Sequence, residues 1–502
     1  MKLFGIIGIF ILLLACINFM NLATARSEKR AKEVGIRKSV GSLRKQLATQ
    51  FFSESLLMAV LSSVFALVLV ALFLNQFNAI ADKAIVIPWS NPVFSLSIGF
   101  FVLLVGLISG IYPAFYLSSF EPLKVLKGTF KAGKNSILPR KVLVSTQFTT
   151  SIALIIGTVI VYKQIQHAQD RPLGYDQEQL VSISINTPDL ENVNYNMIRK
   201  DLLSTGAVSE FCTVNSPMTS MFNTQVGFNW EGKPNDIDPL FGIITTTHDY
   251  VKTAGLIIKD GRDFSRNFST DSSAKLINVP DIVGKYINWN GTEFKVLGIV
   301  QDVVMNSPYE KVQPSFYHIN YYEANQMLLR IPSNVSVKQG LEKAKVIFAK
   351  HDPGSPFSYE FVDEVYGNKF KSEQQIGKLS MLFAALAIFI SCLDIFGLAS
   401  FMAEQRTKEI GVRKVLGASI INVWRLLSLD FLGLVAIAFF VATPVAYYFL
   451  NEWLGNYLYR TNQPWWVFVI AGLGTMLIVL ATVSFQSIKA ALQNPVESLR
   501  SE

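Results

Sequence analysis

Seven long apolar runs constrain this 502-residue chain more than any other feature: Leu3 to Ala25, Phe51 to Leu74, Pro92 to Leu117, Val142 to Tyr162, Leu379 to Met402, Leu426 to Leu450 and Trp465 to Ser487. Each is close to or above the roughly 20 residues that cross about 30 Å of hydrocarbon. No water pairs backbone N–H and C=O groups there, so such a run closes its hydrogen bonds internally, as a helix. One run could be a buried core helix, but seven cannot all hide inside one soluble protein. Composition agrees, with 50% hydrophobic and 16% charged residues and a mean hydropathy of +0.34. The expected fold class is a polytopic α-helical membrane protein with seven spans, plus an α+β extracytoplasmic domain.

Lys and Arg in short loops set the orientation, because they are retained on the cytoplasmic side. They crowd the loop from Arg26 to Gln50, the stretch from Lys124 to Lys141 and the loop from Arg406 to Arg425, whereas the intervening short loops carry only Lys83 and Arg460. The crowded loops are therefore expected in the cytoplasm. The formal net charge of +8 follows from topology, and nucleic acid is not needed as a partner to explain it.

A repeat organises the chain. Arg30 to Gly41 reads RAKEVGIRKSVG and returns as RTKEIGVRKVLG from Arg406 to Gly417, each directly after an apolar run. The same offset of 376 aligns Lys2 with Lys378, Cys16 with Cys392 and Asn18 with Asp394. Glu121 to Lys127 resembles Asn494 to Arg500 after the third span of each half, so both halves share one plan of three spans and a cytoplasmic motif. The organisation expected is a first unit over 1–128, a linker and fourth span over 129–163, an outer domain over 164–376 and a second unit over 377–502. Nothing in the first half matches Lys141 through Ile376, and by the repeat logic about 236 residues are expected upstream, one further span and one further polar domain.

Within the motif, Glu33 and Arg37, like Glu409 and Arg413, stand at i and i+4, a favourable pair on a short exposed helix. Val34, Val40, Leu43 and Leu47, with Ile410, Leu416, Ile420 and Val423, form an apolar stripe. Gly35, Gly41, Gly411 and Gly417 permit a sharp turn or a close backbone approach. Topology alone needs positive charge but not repeated Glu, Gly and apolar positions, so the element is read as one that docks in a groove.

The segment from Lys163 to Gln375 changes character. Leu180 to Ile185, Thr224 to Trp230, Phe241 to Thr246, Phe294 to Val304 and Phe357 to Phe361 read as strands, and Asn192 to Leu203, Val337 to Lys350 and Val362 to Leu379 as helices. The last runs without Pro into a span, and Val161 to Gln169 continues the span before the domain, so two continuous helical stalks are expected. Cys16, Cys212 and Cys392 are too few for a disulfide framework and read as small apolar filler. The sequence contains no HExxH, CxxC, DxDxDG or GxSxG spacing and no GxxxxGK[ST] phosphate loop, so neither a metal, a cofactor nor a catalytic site is expected and any ATPase is a separate chain. Asp394 is a carboxylate within a span, with Asn18 as its repeat mate, and a helix–helix hydrogen bond across the two halves is the expected role of this intramembrane polar pair.

Glu-Val-Gly-Ile-Arg-Lys-Ser-Val-Gly-Ser and Glu-Ile-Gly-Val-Arg-Lys-Val-Leu-Gly-Ala, each between a first and second span, resemble the cytoplasmic signature of the FtsX-like permeases, the MacB-type group of ABC transporters. Asp249 to Gly255 and Gly261 to Ser265 resemble parts of that group's periplasmic core domain. The resemblance implies a non-enzymatic, N-terminally truncated duplicated permease of the inner membrane. A separate ABC ATP-binding subunit, carrying ATP and Mg, would dock at Glu33, Gly35, Arg37, Gly41, Glu409, Gly411, Arg413 and Gly417. Its motion would pass through the stalks to the periplasm, for export or extraction of a substrate with a periplasmic adaptor or lipoprotein as further partner. Regulation of a periplasmic cell-wall hydrolase is the alternative within that group. A membrane-anchored ligand sensor partnering a kinase is the alternative outside it.

Overall fold

A computed structural model describes residues 5, 8–19, 36–40, 42–118, 134–185, 195–234, 238–268, 270–271, 274–277, 279, 281–324, 326–354 and 356–492. Its contacts divide the chain into a helical unit, comprising Met1–Lys163, Glu373–Leu454 and Asn462–Glu502, and an α+β unit, comprising Gln164–Ser372 and Gly455–Thr461. The short segment Gly455–Thr461, which the repeat assigns to the second permease unit, thus groups with the α+β unit. The first four helices are α1 (Gly8–Phe19), α2 (Arg44–Ala81), α3 (Pro92–Ser118) and α4 (Lys134–Gln169). Next come β1 (Leu180–Ser184), α5 (Tyr195–Ser204), β2 (Glu210–Val214), β3 (Thr224–Gln225), β4 (Phe228–Trp230), β5 (Phe241–Thr246), α6 (Tyr250–Ala254), β6 (Ile258–Gly261) and β7 (Ala274–Ile277). They are followed by β8 (Tyr286–Trp289), β9 (Thr292–Val300), β10 (Ser315–Ile319), β11 (Gln326–Arg330), α7 (Val337–His351), β12 (Glu360–Phe361) and α8 (Val362–Asn368). The chain then returns to long helices: α9 (Lys371–Gln405), the short α10 (Thr407–Val415), α11 (Ile420–Gly455) and α12 (Trp465–Leu492).

Among the described residues six helices are long and apolar enough to cross a membrane, and of the expected first span the apolar helix Gly8–Phe19 is described. Within the helical unit, α4 carries Val144, Phe148, Ile152, Ile156 and Ile160 at every fourth position, a stripe that enters one core with α9, α11 and α12. On α11 the facing positions are Ala438, Ala442 and Ala446, small side chains that let backbones approach where lipid supplies no hydrophobic drive. The hydroxyl of Thr149 accordingly reaches the Ala438 carbonyl at 3.4 Å. The α2–α3 pair uses the same device. A Cβ at Gly106 would lie 3.0 Å from Leu56 Cδ1, and one at Gly110 2.9 Å from Phe52 Cδ1.

The α+β unit is built on one sheet of order β12-β1-β11-β2-β5-β10-β7-β9-β8-β4, with β3 added to β5 and β6 to β9. Pairing is antiparallel except at β5/β10 and β7/β9. β2 and β5 share a single Cα register pair, Val214 with Thr246, and a side chain completes the seam. Asn215 Oδ1 accepts the Thr245 N–H at 3.0 Å while its Nδ2 donates to the Ile243 carbonyl at 3.0 Å, as a strand residue's backbone would. Helices α5 and α7 cover β1, β2 and β11 through Ile198, Leu202, Leu341 and Phe348. On a separate core, Tyr250, Val251 and Val362 pack with Leu180, Ile244 and Leu328.

Three sequence expectations are corrected here. The strand expected over Thr224 to Trp230 is split at Gly227, whose φ of 86° breaks the ladder. The strand expected over Phe294 to Val304 starts at Thr292 and ends at Val300, beyond which Val303 and Val304 are buried off the sheet. The helix expected to run unbroken from Val362 to Leu379 is interrupted by a turn at Lys369 and Phe370. The other stalk is continuous, from Lys134 to Gln169.

Candidate functional site

The second copy of the repeated motif is α10 and the turn after it. Its acid and base pair as the spacing predicts, Arg413 Nη2 lying 2.7 Å from Glu409 Oε1. Gly417, at φ 90°, ends the helix. Its N–H donates to the Lys414 carbonyl at 3.0 Å, and the Ala418 N–H to the Arg413 carbonyl at 2.9 Å, the paired bonds of a Schellman cap. In the first copy Glu33, Val34, Gly35 and Gly41 lie outside the described residues. Around them, the Val40 N–H reaches the Ile36 carbonyl and the Ser42 N–H the Arg37 carbonyl, each at 3.0 Å. These are the bonds that Leu416 and Ala418 make 376 residues later. Arg37 turns to Gln50 Oε1 at 2.8 Å.

The apolar stripe of the motif divides in two. Leu47, Ile410 and Val423 are buried, the last two in a cluster with Ala403 and Leu427. Ile36 and Val412, at equivalent positions, are each 48% exposed, and Val40 and Leu416 are 82% and 81% exposed. Leu43 and Ile420 also face outward. Each copy thus anchors one side inward and presents an apolar tip beside a cationic helix end. Large exposed apolar side chains rimmed by charge are what a protein partner covers.

Within the helical unit, Asp394 is buried on α9. One turn away on the same helix, Ser391 receives Gln147 Nε2 at 3.3 Å and lies 3.0 Å from the Ser151 hydroxyl. Asn18 makes a bond across the halves, its Nδ2 donating to the Ile390 carbonyl at 3.1 Å. The Gln147 and Ser151 contacts form a polar seam between α4 and α9, and the Asn18 bond joins α1 to α9.

In the α+β unit the segment Val303 to Glu310 is gripped from three sides. Arg171, just past α4, donates Nη1 to the carbonyls of Pro308 and Glu310 at 2.8 and 2.7 Å and lays its guanidinium over the Tyr459 ring at 4.3 Å. Tyr459 stacks on His167 with centroids 4.4 Å apart, and its N–H donates to the Tyr309 carbonyl at 2.9 Å. Gln164 closes that loop from both sides, donating to the Tyr459 carbonyl at 2.9 Å and accepting the Thr461 N–H at 2.8 Å. From the third side Tyr366 and Phe370 pack with Tyr309, Val304 and Ala168. Sequence reasoning missed this collar; its one visible trace is the Tyr457-Leu458-Tyr459 spacing of aromatics.

The motifs at Asp249 and Gly261 serve the unit's own packing. Asp249 Oδ2 accepts from Tyr195 at 2.8 Å, Arg199 at 2.7 Å and Arg266 at 2.5 Å. Burial would raise its pKa, but the Tyr195 and Arg266 bonds and the two guanidinium charges hold it below the usual carboxylate range. Arg262 pairs bidentately with the fully buried Asp271 at 2.6 and 2.8 Å. Cys212 lies buried in β2, where burial pushes its thiol pKa far up, as suits a filler.

The family description "FtsX-like permease C-terminal" matches residues 5–122 and again 381–495. The macrolide export ATP-binding/permease protein MacB of Bdellovibrio bacteriovorus is 31% identical over 115 residues, 22% of this chain and 17% of that protein. The uncharacterized ABC transporter permease YknZ of Bacillus subtilis is 29% identical over 116 residues, 23% of this chain and 28% of that protein. The chain thus spans less than a third of the length of these relatives. The periplasmic region of MacB from Actinobacillus actinomycetemcomitans aligns over 40% of this chain and 96% of its own, at 12% identity and a TM-score of 0.28. The family match covers a little under half of the chain and falls on both copies of the repeat, so each half is similar to the FtsX-like permeases.

Proposed function

We propose that this chain is the permease component of an ABC transporter in the inner membrane. A separate ATP-binding subunit docks on its two motifs and works the α+β unit from across the membrane. The observation that carries the reading is the equivalence of the two tips: Ile36 and Val40 repeat the exposure of Val412 and Leu416, and the same backbone bonds close both turns. Two equal docking elements suit two nucleotide-binding domains. The continuous helix from Lys134 to Gln169 and the collar at Val303 to Glu310 are the route by which force reaches the outer side. The chain itself carries no phosphate loop, so ATP and Mg belong to the partner. Cargo, a lipoprotein, peptide or drug, would be handled outside the membrane by movement of the α+β unit, with an adaptor or lipoprotein as further partner.

The test is charge inversion at α10. Glu409→Lys together with Arg413→Glu keeps the i, i+4 pair, and hence the helix, while reversing the surface the partner meets. With the ATP-binding subunit in nanodiscs, the double variant is expected to insert normally and to lose stimulation of ATP hydrolysis. Wild-type stimulation would sink the docking assignment.

A further inference from the structure

The break between α8 and α9 is held by a side chain from within the turn. Lys369 Nζ donates to the carbonyls of Thr219, Met305 and Asn306, the Met305 contact being 2.6 Å, and lies 5.8 Å from the Tyr366 ring centroid. Two of these carbonyls belong to the loop after β9, the same segment the collar grips, and the third to the loop after β2. Asn306 ties the two loops together, its Oδ1 accepting the Met221 N–H at 2.8 Å. Burial pushes the Lys369 ammonium down to about 8, opposed by the three carbonyls, which favour the charged form. Across the turn the Lys369 N–H donates to the Tyr366 carbonyl at 3.0 Å and the Phe370 N–H to the Gly367 carbonyl at 3.1 Å. A two-residue turn between helices would bend when α9 moves and absorb the displacement were it not tied to the domain; Phe370 packs it against Tyr309 and Val304, and the Lys369 ammonium adds ties to both loops.

We infer that Lys369 is a positioning residue for coupling: it pins the α8–α9 turn to the loops at Thr219 and Met305–Asn306, so that movement of α9 is delivered there. The inference rests on the transmission reading above. Charge-assisted bonds to carbonyls are the strong kind, and one ammonium spanning two loops does what no residue of the helix backbone can.

The experiment is amide hydrogen exchange of the full chain in nanodiscs with its ATP-binding subunit, without nucleotide and after trapping with ATP and vanadate. In the wild type, segments 217–222 and 303–307 are expected to change exchange on trapping, together with 407–417. In Lys369→Met, exchange of 217–222 and 303–307 without nucleotide should rise about tenfold or more, and their response to trapping should vanish while that of 407–417 persists. A wild-type response at 303–307 in that variant overturns the pin alone, whereas no response anywhere in the wild type overturns the transmission reading as well. If Lys369→Met also deprotects β5 and β10, Lys369→Gln decides, because its amide can still donate to a carbonyl. The pin predicts that Lys369→Gln leaves β5 and β10 protected and regains at least part of the nucleotide response at 303–307; no response there, with 407–417 still responding, would overturn the pin.

Discussion

Truncating Leu416 is the sharpest perturbation of the docking surface. Leu→Ala removes three carbons, each worth about 0.8 kcal/mol when buried. Leu416 is 81% exposed in the free chain, so nearly all of that burial is left for the partner to supply. Scaling by exposure gives about 2 kcal/mol, or roughly 30-fold in Kd at 1.4 kcal/mol per tenfold. Val40→Ala, losing two carbons at a similar exposure, should cost about tenfold by the same reckoning. The folded chain gains little from either side chain, so its thermal midpoint in detergent should stay put. Val423→Ala is the control in the opposite sense, because Val423 is buried and its loss leaves a cavity that lowers stability. The assay is titration of the ATP-binding subunit onto the chain in nanodiscs, read by fluorescence anisotropy. An unchanged Kd for Leu416→Ala would mean that the tip is left uncovered in the complex and that the reasoning fails.

Other positions give independent outcomes. Gly417→Ala forces an L side chain to φ 90°, at a cost of about 1–2 kcal/mol; ATPase stimulation should fall, and further with Gly417→Val. Asn215→Ala orphans the Thr245 N–H and the Ile243 carbonyl in the buried seam, and should lower protection of β2 and β5 in hydrogen exchange by about 1–3 kcal/mol. Burial pushes the Asp263 carboxyl up to about 6, against the Phe264 N–H, which favours the charged form. The folded state therefore binds more protons than the unfolded one between about pH 4 and 6, and stability falls as pH rises through that window. Asp263→Asn should flatten this slope and leave the α+β unit more protected at pH 7 than the wild type; an unchanged profile would refute the assignment.

The membrane helices were legible because uncharged length is decisive in hydrocarbon, and the motif because its spacing recurs. The α+β unit was only half legible. β10 and β11 are almost wholly buried central strands and so show no alternation, and β2 needs the Asn215 side chain to meet its neighbour. The break at Lys369 carries no Pro and follows Gly367 by two residues; the ammonium there reaches three carbonyls distant in sequence, a tertiary arrangement that no local pattern records. The apolar stripe was found, but its division into anchor and tip depends on which side α9 and α11 cover. The collar joins Gln164, Arg171, Tyr309 and Tyr459 from segments up to 295 residues apart, beyond the reach of periodicity.

The central claim is that nucleotide bound by a separate chain moves the α+β unit. Spin labels at Tyr322→Cys, on that unit, and Trp89→Cys, in the loop between α2 and α3, sit at exposed positions in a chain otherwise free of cysteine. Double electron–electron resonance in nanodiscs with the ATP-binding subunit would give their distance distribution with and without ATP and vanadate. The account predicts a shift of the distribution on trapping. Superimposable distributions, in a complex that hydrolyses ATP, would contradict it.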